Sequence, residues 1–296
     1  MHAFYVQDRR SLLVPKNMQI VPGDAFAALF RHFTPTARAF FSGNLCERVA
    51  FDDAQGHGHL HVFRGGVLAV TQPGAETLRL TAPSLILSPR HVVHGFAPDP
   101  ERGADLVCAT IEIGGGAGNP IAGALPDVLV IPVAGAPTIA PTLDLLFDEA
   151  FSGRSGRQIA LDRLFEYLLV QIFRHIVDGA VVRIGVVAAL ADPRLALAVT
   201  AMHDQPDRAW TLEDLADAAG MSRTRFAAHF RAVAGTTPAD YLARWRMAVA
   251  QGLLRKGKSI KAVASAVGYE SPAALTRAFA KIVGASPTAW LKSVAP

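Results

Sequence analysis

Hydrophobic positions recur with two different spacings along the 296 residues of the chain. Between residues 45 and 113, short apolar runs alternate with turn residues such as Gly, Pro and Asp, a pattern that predicts β-strands. The predicted strands cover residues 45–51, 59–63, 67–71, 77–80, 84–87 and 105–113. From residue 140 the apolar residues return every three or four positions, as in amphipathic helices. The chain is therefore predicted to be α+β, with an N-terminal antiparallel β-barrel followed by helices.

An internal repeat occupies the last hundred residues. The segment 211–220, TLEDLADAAG, is echoed 48 positions later by 259–268, SIKAVASAVG. Thr211 and Ser259 belong to the residue types that cap helix N-termini, because a side-chain oxygen accepts a backbone N–H that has no partner within the helix. Gly220 and Gly268 stand where each helix must stop and the chain reverse, a place that favours positive φ. The repeat predicts two helix-turn-helix units, so the C-terminal part is expected to be all-α.

Each unit continues with a second predicted helix, which we call the reading helix. Its expected caps are Ser222 in the first unit and Ser271 in the second. An apolar stripe at spacing i, i+4 then faces the core, formed by Phe226 with Phe230 and by Leu275 with Phe279. A helical repeat array is the alternative interpretation. An array needs at least three units to bury a core, and this chain has two.

Charge is distributed unevenly along the chain, although the net charge is only +4. Residues 1–189 carry 15 Lys and Arg against 17 Asp and Glu, a net −2, whereas residues 190–296 carry 14 against 8, a net +6. A solvated basic face would also give this excess. Together with the repeat, it favours a C-terminal part that binds a polyanion.

Residues 193–296 resemble the DNA-binding domain of the AraC/XylS family of transcription regulators. The resemblance rests on the turn at 268–271, GYES, and on the ending at 279–287, FAKIVGASP. It implies a DNA-binding regulator, an activator, with double-stranded DNA and RNA polymerase as partners. It also implies a helix over residues 238–254 that holds the two reading helices about one DNA turn apart.

The reading helices supply the candidate DNA contacts. In the first helix Arg223 and Thr224 lie at the N-terminal end, where Arg can bond guanine and the Thr methyl group can touch thymine. Arg225 and Arg231 are expected to contact phosphates or remain solvated. Arg277 matches a DNA-contacting arginine of the family, although Pro272 and its neighbours replace residues that are often polar in relatives. The remaining candidates are Ala227, Ala228, Ala273, Ala274, Thr276 and Lys281.

Residues 61–68, HVFRGGVL, and 80–96, LTAPSLILSPRHVVHGF, resemble the cupin domain at the N-terminus of many such regulators. Five of the ten histidines lie between residues 57 and 94. Strand alternation would place His57, His59 and His61 on one face, the arrangement a metal requires. Enzyme-type cupins follow the His-x-His pair with Glu after three or four residues, but here the next carboxylate is Glu76. We therefore expect His59, His61 and His94 to line a polar sensor pocket or to be structural histidines, with no catalytic metal and no cofactor.

Two cysteines, Cys46 and Cys108, lie on strands predicted to flank the histidine-rich region. A buried free cysteine usually acts as a small hydrophobic residue. The alternative is a reversible redox pair, because a disulfide in the cytosol is more often a sensor than a structural bridge. Some cupin-bearing regulators respond to oxidants through cysteines, so the resemblance supports an oxidant as the signal beside a small molecule.

Three regions follow: a cupin-like sensory domain at 1–139, a helical linker at 140–189, and the double helix-turn-helix domain at 190–296. The broad apolar face of residues 164–176 forms either a homodimer interface or the packing surface against its own barrel. No apolar run reaches the roughly 20 residues of a membrane span, and the N-terminus lacks a secretion signal, so a cytoplasmic protein is expected. The competing function is a metal-dependent cupin enzyme with an accessory nucleic-acid-binding domain. We expect a regulator rather than an enzyme.

Overall fold

A computed structural model describes residues 30–32, 34–52, 56–113, 120–179 and 185–294. Nine strands in these residues form two antiparallel sheets that face each other. The five-stranded sheet has the order β1-β8-β3-β6-β9, and the four-stranded sheet has the order β2-β7-β4-β5. The strands are β1 (Thr36–Leu45), β2 (Val49–Phe51), β3 (Gly58–Gly66), β4 (Leu68–Thr71), β5 (Leu78–Leu80), β6 (Ser84–Ser88), β7 (His94–Pro98), β8 (Ala104–Glu112) and β9 (Leu129–Pro132).

Alternation along the strands of the larger sheet separates two hydrophobic cores. On β3, Leu60 and Val62 point outward to the helices, whereas Phe63 points inward to the smaller sheet. The inward core also contains Phe96 from β7 and Cys108 from β8. The predicted antiparallel β structure is confirmed, and its interior is filled by side chains.

The structure differs from the predicted strands at four places, the first being β1, whose residues 36–44 precede every predicted strand. The strand predicted at 45–51 is the end of β1 and all of β2, separated by residues 46–48. Strands β7 and β9 were not predicted, because β7 contains Gly95 and Pro98 and β9 ends at a proline, all features typical of turns. Both strands are held by neighbours distant in sequence, β7 by β2 and β4, and β9 by β6. Pairing of this kind overrides local preference.

Eleven α-helices follow the first eight strands in the described residues. They are α1 (Pro120–Ala124), α2 (Ala140–Phe151), α3 (Arg157–Asp178), α4 (Val186–Ala191), α5 (Leu195–Asp204), α6 (Leu212–Ala218), α7 (Arg223–Ala234), α8 (Pro238–Arg255), α9 (Ile260–Ala266), α10 (Pro272–Val283) and α11 (Pro287–Ser293). A short 3₁₀ turn, Val133–Gly135, links β9 to the helices. The expected domain boundary after residue 189 falls inside α4. None of these helices is long and apolar enough to cross a membrane.

The helices and the outer face of the large sheet share one continuous hydrophobic core. Helix α3 packs against β1, and its buried residues include Phe165 and Phe173. The same core extends through α4 to Phe230 of the first helix-turn-helix and on to Phe279 of the second. The β-rich part and the C-terminal helices are therefore packed together rather than joined by an open linker.

Candidate functional site

The two helix-turn-helix units are α6–α7 and α9–α10, and each turn is built as its sequence suggests. Thr211 forms a capping box with Asp214: its side chain accepts from the Asp214 N–H at 3.1 Å, and the Asp214 carboxylate accepts from the Thr211 N–H at 2.9 Å. Ser259 accepts from the Ala262 N–H at 3.3 Å. Gly220 and Gly268 have φ of +61° and +73°, the region that glycine adopts with least strain. The predicted caps and turns are confirmed.

The caps of the two reading helices differ. Ser271 accepts a hydrogen bond from the Ala274 N–H at 3.1 Å and so caps α10. Ser222 occupies the equivalent position before α7, but its side chain makes no capping hydrogen bond. The prediction that Ser222 caps α7 through its side chain is therefore wrong, because the hydroxyl does not reach the free N–H groups of the first turn.

The reading helices bury the apolar faces predicted to pack in the core and expose the faces predicted to contact DNA. Phe226, Phe230, Leu275 and Phe279 are fully buried. The candidate DNA contacts all lie on exposed or half-buried positions: Arg223, Thr224, Arg225, Ala227, Ala228 and Arg231 on α7, and Ala273, Ala274, Thr276, Arg277 and Lys281 on α10. Five of these eleven side chains carry a positive charge, so each helix presents a basic surface.

Two candidates already have partners within the protein. The guanidinium of Arg223 lies 3.8 Å from the Glu213 carboxylate, an exposed pair that binding to DNA could exchange for a phosphate. The Thr276 hydroxyl donates to the Pro272 carbonyl at 2.8 Å, one turn back along α10. The Thr276 hydroxyl proton is therefore already donated within the helix. The methyl group and the oxygen lone pairs of Thr276 remain available to contact a base.

Helix α8 joins the units, as the resemblance implied, and is anchored to α5 by a buried aromatic group that the sequence analysis did not identify. The Trp245 ring stacks on His203 of α5 with 3.7 Å between ring centroids. His203 also shares a short hydrogen bond with the Tyr241 hydroxyl. Burial lowers the pKa of His203 to about 3, so the ring is neutral and rigidly placed. The sequence did not predict this contact, because a single histidine in an apolar helical stretch forms no recognisable pattern.

Helix α4 connects α3 to the first reading helix. It packs against both α3 and α7, and all residues from Val186 to Leu190 are buried. Its two ends are hydrogen-bonded to α7: the Gly185 N–H donates to the Val233 carbonyl at 3.0 Å, and His229 Nε2 lies 2.7 Å from Asp192 Oδ2. A movement of α3 would therefore reach α7 through α4.

Three histidines converge at the inner face of the β-barrel. His59 and His61 lie on β3 of the larger sheet, and His94 opens β7 of the smaller sheet. One ring nitrogen from each lies within 4.8 Å of the others, and the Nε2 atoms of His61 and His94 are 2.9 Å apart. His57 and His91 are not part of this group. His91 instead lies 3.5 Å from the Asp52 carboxylate.

The surroundings of this histidine cluster (His59, His61 and His94) are aromatic rather than polar. Phe51 stacks on His94 with 5.1 Å between centroids, and Phe96 meets the edge of His61 at 4.6 Å. The three histidines are at most 4% exposed and lie buried among these rings, and their role in a sensor pocket stays a prediction. Desolvation on burial, followed by the neighbouring rings, lowers the pKa of His61. Burial also lowers the pKa of His94, so the rings of His61 and His94 are neutral near pH 7.

Neutral imidazoles that converge on one point are the ligand form that transition metals bind. His94 Nδ1 is 2.8 Å from the Val92 carbonyl and must carry the proton that it donates, so its Nε2 presents a lone pair to the cluster. The donor set therefore fits a metal ion, although it lacks the carboxylate of enzyme-type cupins.

The cysteines do not form the predicted redox pair within one chain. Both are free, with Cys46 exposed and Cys108 buried. The β1–β8 register sets Phe41 opposite Cys108 and Leu45 opposite Ala104. Cys46 lies five residues beyond Phe41, about 16 Å at about 3.3 Å per residue, whereas a disulfide needs Cα atoms within about 7 Å. Burial also raises the pKa of the Cys108 thiol and makes it a poor nucleophile.

Comparison with known proteins matches both parts of the chain. A family model described as Cupin matches residues 24–178, just over half of the chain, and a helix-turn-helix domain model matches residues 215–293. A protein of Streptomyces lividans described as an AraC-like transcription regulator is 35% identical over 172 residues, 57% of each chain. An HTH-type transcriptional regulator of Haemophilus influenzae is 34% identical over 171 residues, again 57% of each chain.

A third relative matches over a greater length. The RCS-specific HTH-type transcriptional activator RclR of Escherichia coli is 26% identical over 239 residues, which cover 79% of this chain and 84% of RclR. The chain spans a little over half the length of the first two relatives. All three are described as transcription regulators, and none as an enzyme. The chain therefore belongs to the cupin family by its N-terminal part, carries a C-terminal helix-turn-helix domain, and is similar to AraC-like transcription regulators.

Proposed function

We propose that this protein is a DNA-binding transcription activator that places α7 and α10 in consecutive major grooves on one face of the DNA and acts in the cytoplasm. The observation that carries this proposal is the pair of reading helices with exposed basic faces, joined by the rigid helix α8. Two helices held about one DNA turn apart can read two half-sites from a single chain. The activator role is supported by the description of RclR as an activator, and it implies a contact with RNA polymerase.

The residues of the two helices divide by role in this proposal. Arg223 and Thr224, at the N-terminal end of α7, contact base edges, and Arg277 makes the main contact of α10. Arg225, Arg231 and Lys281 contact phosphates, which position the protein without reading sequence. Ala227, Ala228, Ala273 and Ala274 can offer only apolar contact, to thymine methyl groups. Base recognition should therefore depend on few hydrogen bonds.

The cupin domain receives the signal, a small molecule or an oxidant, and the helical region passes it on. Helix α3 packs against β1 of the barrel. The N–H of Ala39 on β1 donates a hydrogen bond to the carboxylate of Asp162 on α3 at 2.8 Å. From α3 the route continues through α4, whose two ends are bonded to α7. A shift of the barrel strands would thus change the placement of the first reading helix relative to the second.

The same helical region is proposed as a homodimer interface. Four large apolar side chains on α2 and α3 are more than half exposed: Leu145, Phe151, Ile159 and Tyr167. Exposed apolar side chains gathered on two adjacent helices are typical of a protein–protein contact. Ile159→Glu should shift the sedimentation of the full chain from dimer to monomer. A monomeric wild type would contradict this part of the proposal.

The test of DNA reading uses the full chain. Selection of bound duplexes from a random library should enrich a motif of two half-sites whose centres are about one helical turn apart. Affinity for that site should fall by about a thousandfold between about 50 and about 200 mM salt if six phosphates are contacted, because the basic side chains release counterions. Failure to enrich any motif, or an affinity that does not change with salt, would refute the proposal.

A further inference from the structure

We propose that Arg246, on the connecting helix α8, is a positioning residue: it fixes the angle between the two helix-turn-helix units and so determines which half-site spacing the protein accepts. The residue acts through the backbone that leads into the first unit and through the turn of the second unit, not by contacting DNA. Its effect on half-site spacing rests on the proposed function. Its effect on the angle between the units does not, and that angle can be measured without DNA.

Arg246 binds the entry turn, residues 205–210, which connects α5 to α6 of the first unit. Its Nε–H donates to the Pro206 carbonyl at 2.6 Å, and Nη2 donates to the Arg208 carbonyl at 2.8 Å. The planar guanidinium holds these donors in a fixed fork, so both bonds form only in a narrow range of orientations. The entry turn is also bonded to α6, because Arg208 Nη2 lies 3.1 Å from the Asp214 carboxylate. Arg246 therefore fixes α8 relative to the first unit.

The turn of the second unit touches the same place. Gly268 lies so close to the entry turn that a Cβ atom there would be 2.5 Å from the Asp207 carbonyl oxygen and 2.9 Å from Nη2 of Arg246. The Arg246 guanidinium also lies 5.8 Å from the centroid of the Tyr269 ring. A glycine permits this close approach because it has no side chain. Arg246, the entry turn and the second turn therefore meet at one point.

The angle between the units depends on such contacts, because the units are not bonded to each other directly. The structure describes every residue of both units, and no hydrogen bond or ion pair joins residues 205–236 to residues 257–294. Helix α8, 18 residues long, sets the distance between the units. How each unit is oriented around α8 is set by side-chain contacts. Arg246, halfway along α8, contacts both units.

A phosphate contact is the alternative role for an arginine in a DNA-binding domain. Arg246 is only partly exposed, and its Nε–H and Nη2 groups already donate to carbonyl oxygens within the protein. Lysine at this position separates the two roles. It keeps the positive charge but cannot bond two carbonyls with a planar fork.

The first experiment measures the angle between the units without DNA. Full-length protein with Cys46→Ser, Ala232→Cys and Ala280→Cys carries one spin label on α7 and one on α10, both at exposed positions, whereas Cys108 is buried and remains unlabelled. Double electron–electron resonance should give a narrow distribution of distances between the two labels. Adding Arg246→Lys should widen this distribution, because the fork that orients the first unit is lost.

Arg244→Lys is the matched control. It is the same substitution on the same helix, two residues earlier, at an exposed position. Its distance distribution and its DNA binding should equal those of the protein without it. Equal widths for Arg246→Lys and Arg244→Lys would overturn the proposal.

The second experiment measures half-site spacing with the unlabelled full chain. One base pair inserted into the selected motif or removed from it rotates the second half-site by about 35° and moves it by about 3.4 Å. The wild type should bind the selected spacing at least about tenfold more tightly than either altered spacing, comparable to the effect of one mismatched base pair. Arg246→Lys should lower this ratio severalfold and keep the wild-type affinity for a duplex that contains only the first half-site.

An unchanged ratio in Arg246→Lys would contradict the proposal. An equal loss of affinity on every duplex, including the single half-site, would also contradict it, because a phosphate contact or a general loss of stability gives that pattern.

Circular dichroism and thermal melting show whether each variant is folded. If Arg246→Lys does not fold, Gly268→Ala decides by the same two measurements, because it disturbs the same contact from the second unit. If the wild type selects no DNA motif, the proposed function is refuted, and the distance distribution alone decides the role of Arg246.

Discussion

Single side chains on the reading helices carry the most direct consequences of the proposed function. Arg277 is exposed on α10, on the side opposite Leu275 and Phe279. Arg277→Ala should weaken binding of the selected site by about 1 to 3 kcal/mol, as expected when one charged contact is lost. The measurement is fluorescence anisotropy with a labelled duplex.

Arg79→Ala is the control for Arg277→Ala. Arg79 is an exposed arginine on strand β5 of the barrel, so its loss removes the same charge far from the reading helices. The Arg79→Ala variant should bind the selected site with the same affinity as the wild type. If the two variants bind equally well, Arg277 does not contact DNA.

The two cysteines should react at very different rates. Cys46 is exposed, whereas Cys108 is 1% exposed and burial raises the pKa of its thiol. A thiol reagent at pH 7.5 should therefore modify one cysteine per folded chain and two in denaturant, and peptide mapping should identify Cys46 as the fast site. An intramolecular disulfide between Cys46 and Cys108 in oxidised folded protein would contradict the register of β1 and β8.

Short helices of the first helix-turn-helix provide a matched test of capping. Thr211 and Ser222 both precede helices, but only Thr211 accepts a capping hydrogen bond. Thr211→Ala should lower the free energy of unfolding by about 0.5 to 2 kcal/mol, and Ser222→Ala by less than about 0.5 kcal/mol. Urea denaturation of the full chain measures both changes. Equal losses would mean that Ser222 also caps its helix.

The two turn glycines should also differ when replaced by alanine. Both have positive φ, where alanine costs about 1 to 2 kcal/mol. At Gly220 a Cβ would meet nothing within 4 Å, whereas at Gly268 it would lie 2.5 Å from the Asp207 carbonyl oxygen. Gly268→Ala should therefore lower the melting temperature clearly more than Gly220→Ala. The opposite order would show that the second turn does not pack against residue 207.

At the scale of the whole molecule, the two hydrophobic cores predict which elements lose stability when a core side chain is truncated. Phe173 on α3 belongs to the core shared by the large sheet, α4 and the C-terminal helices, whereas Phe63 belongs to the core inside the barrel. Each truncation to alanine should cost about 3 to 5 kcal/mol. Phe173→Ala should lower amide-exchange protection in α7 and α8, and Phe63→Ala should lower it chiefly in the strands.

Amide hydrogen exchange, measured by mass spectrometry on the full chain, distinguishes the two patterns of lost protection. Protection in α7 that falls equally in both variants would mean that the cores unfold together. Loss of protection confined to α3 in Phe173→Ala would mean that α4 does not couple α3 to the first reading helix.

The helix-turn-helix units were predictable from the sequence because their signals are local. A cap, a small residue, a glycine and an apolar stripe specify each turn within about twenty residues, and the repeat doubles the evidence. The exposed faces of α7 and α10 followed from the same periodicity, as did the barrel from the alternating strands near His59 and His61. The resemblance to known families then identified the type of regulator.

Only the tertiary structure decided which distant residues meet. His94 joins His59 and His61 because β7 and β3 belong to facing sheets, and Cys46 and Cys108 remain apart because of the β1–β8 register. Helix α4 gains its role by packing between α3 and α7. Spacing along the chain constrains neighbours within a few residues, whereas register and sheet packing set contacts across more than thirty residues, and these arise only when the whole core is buried.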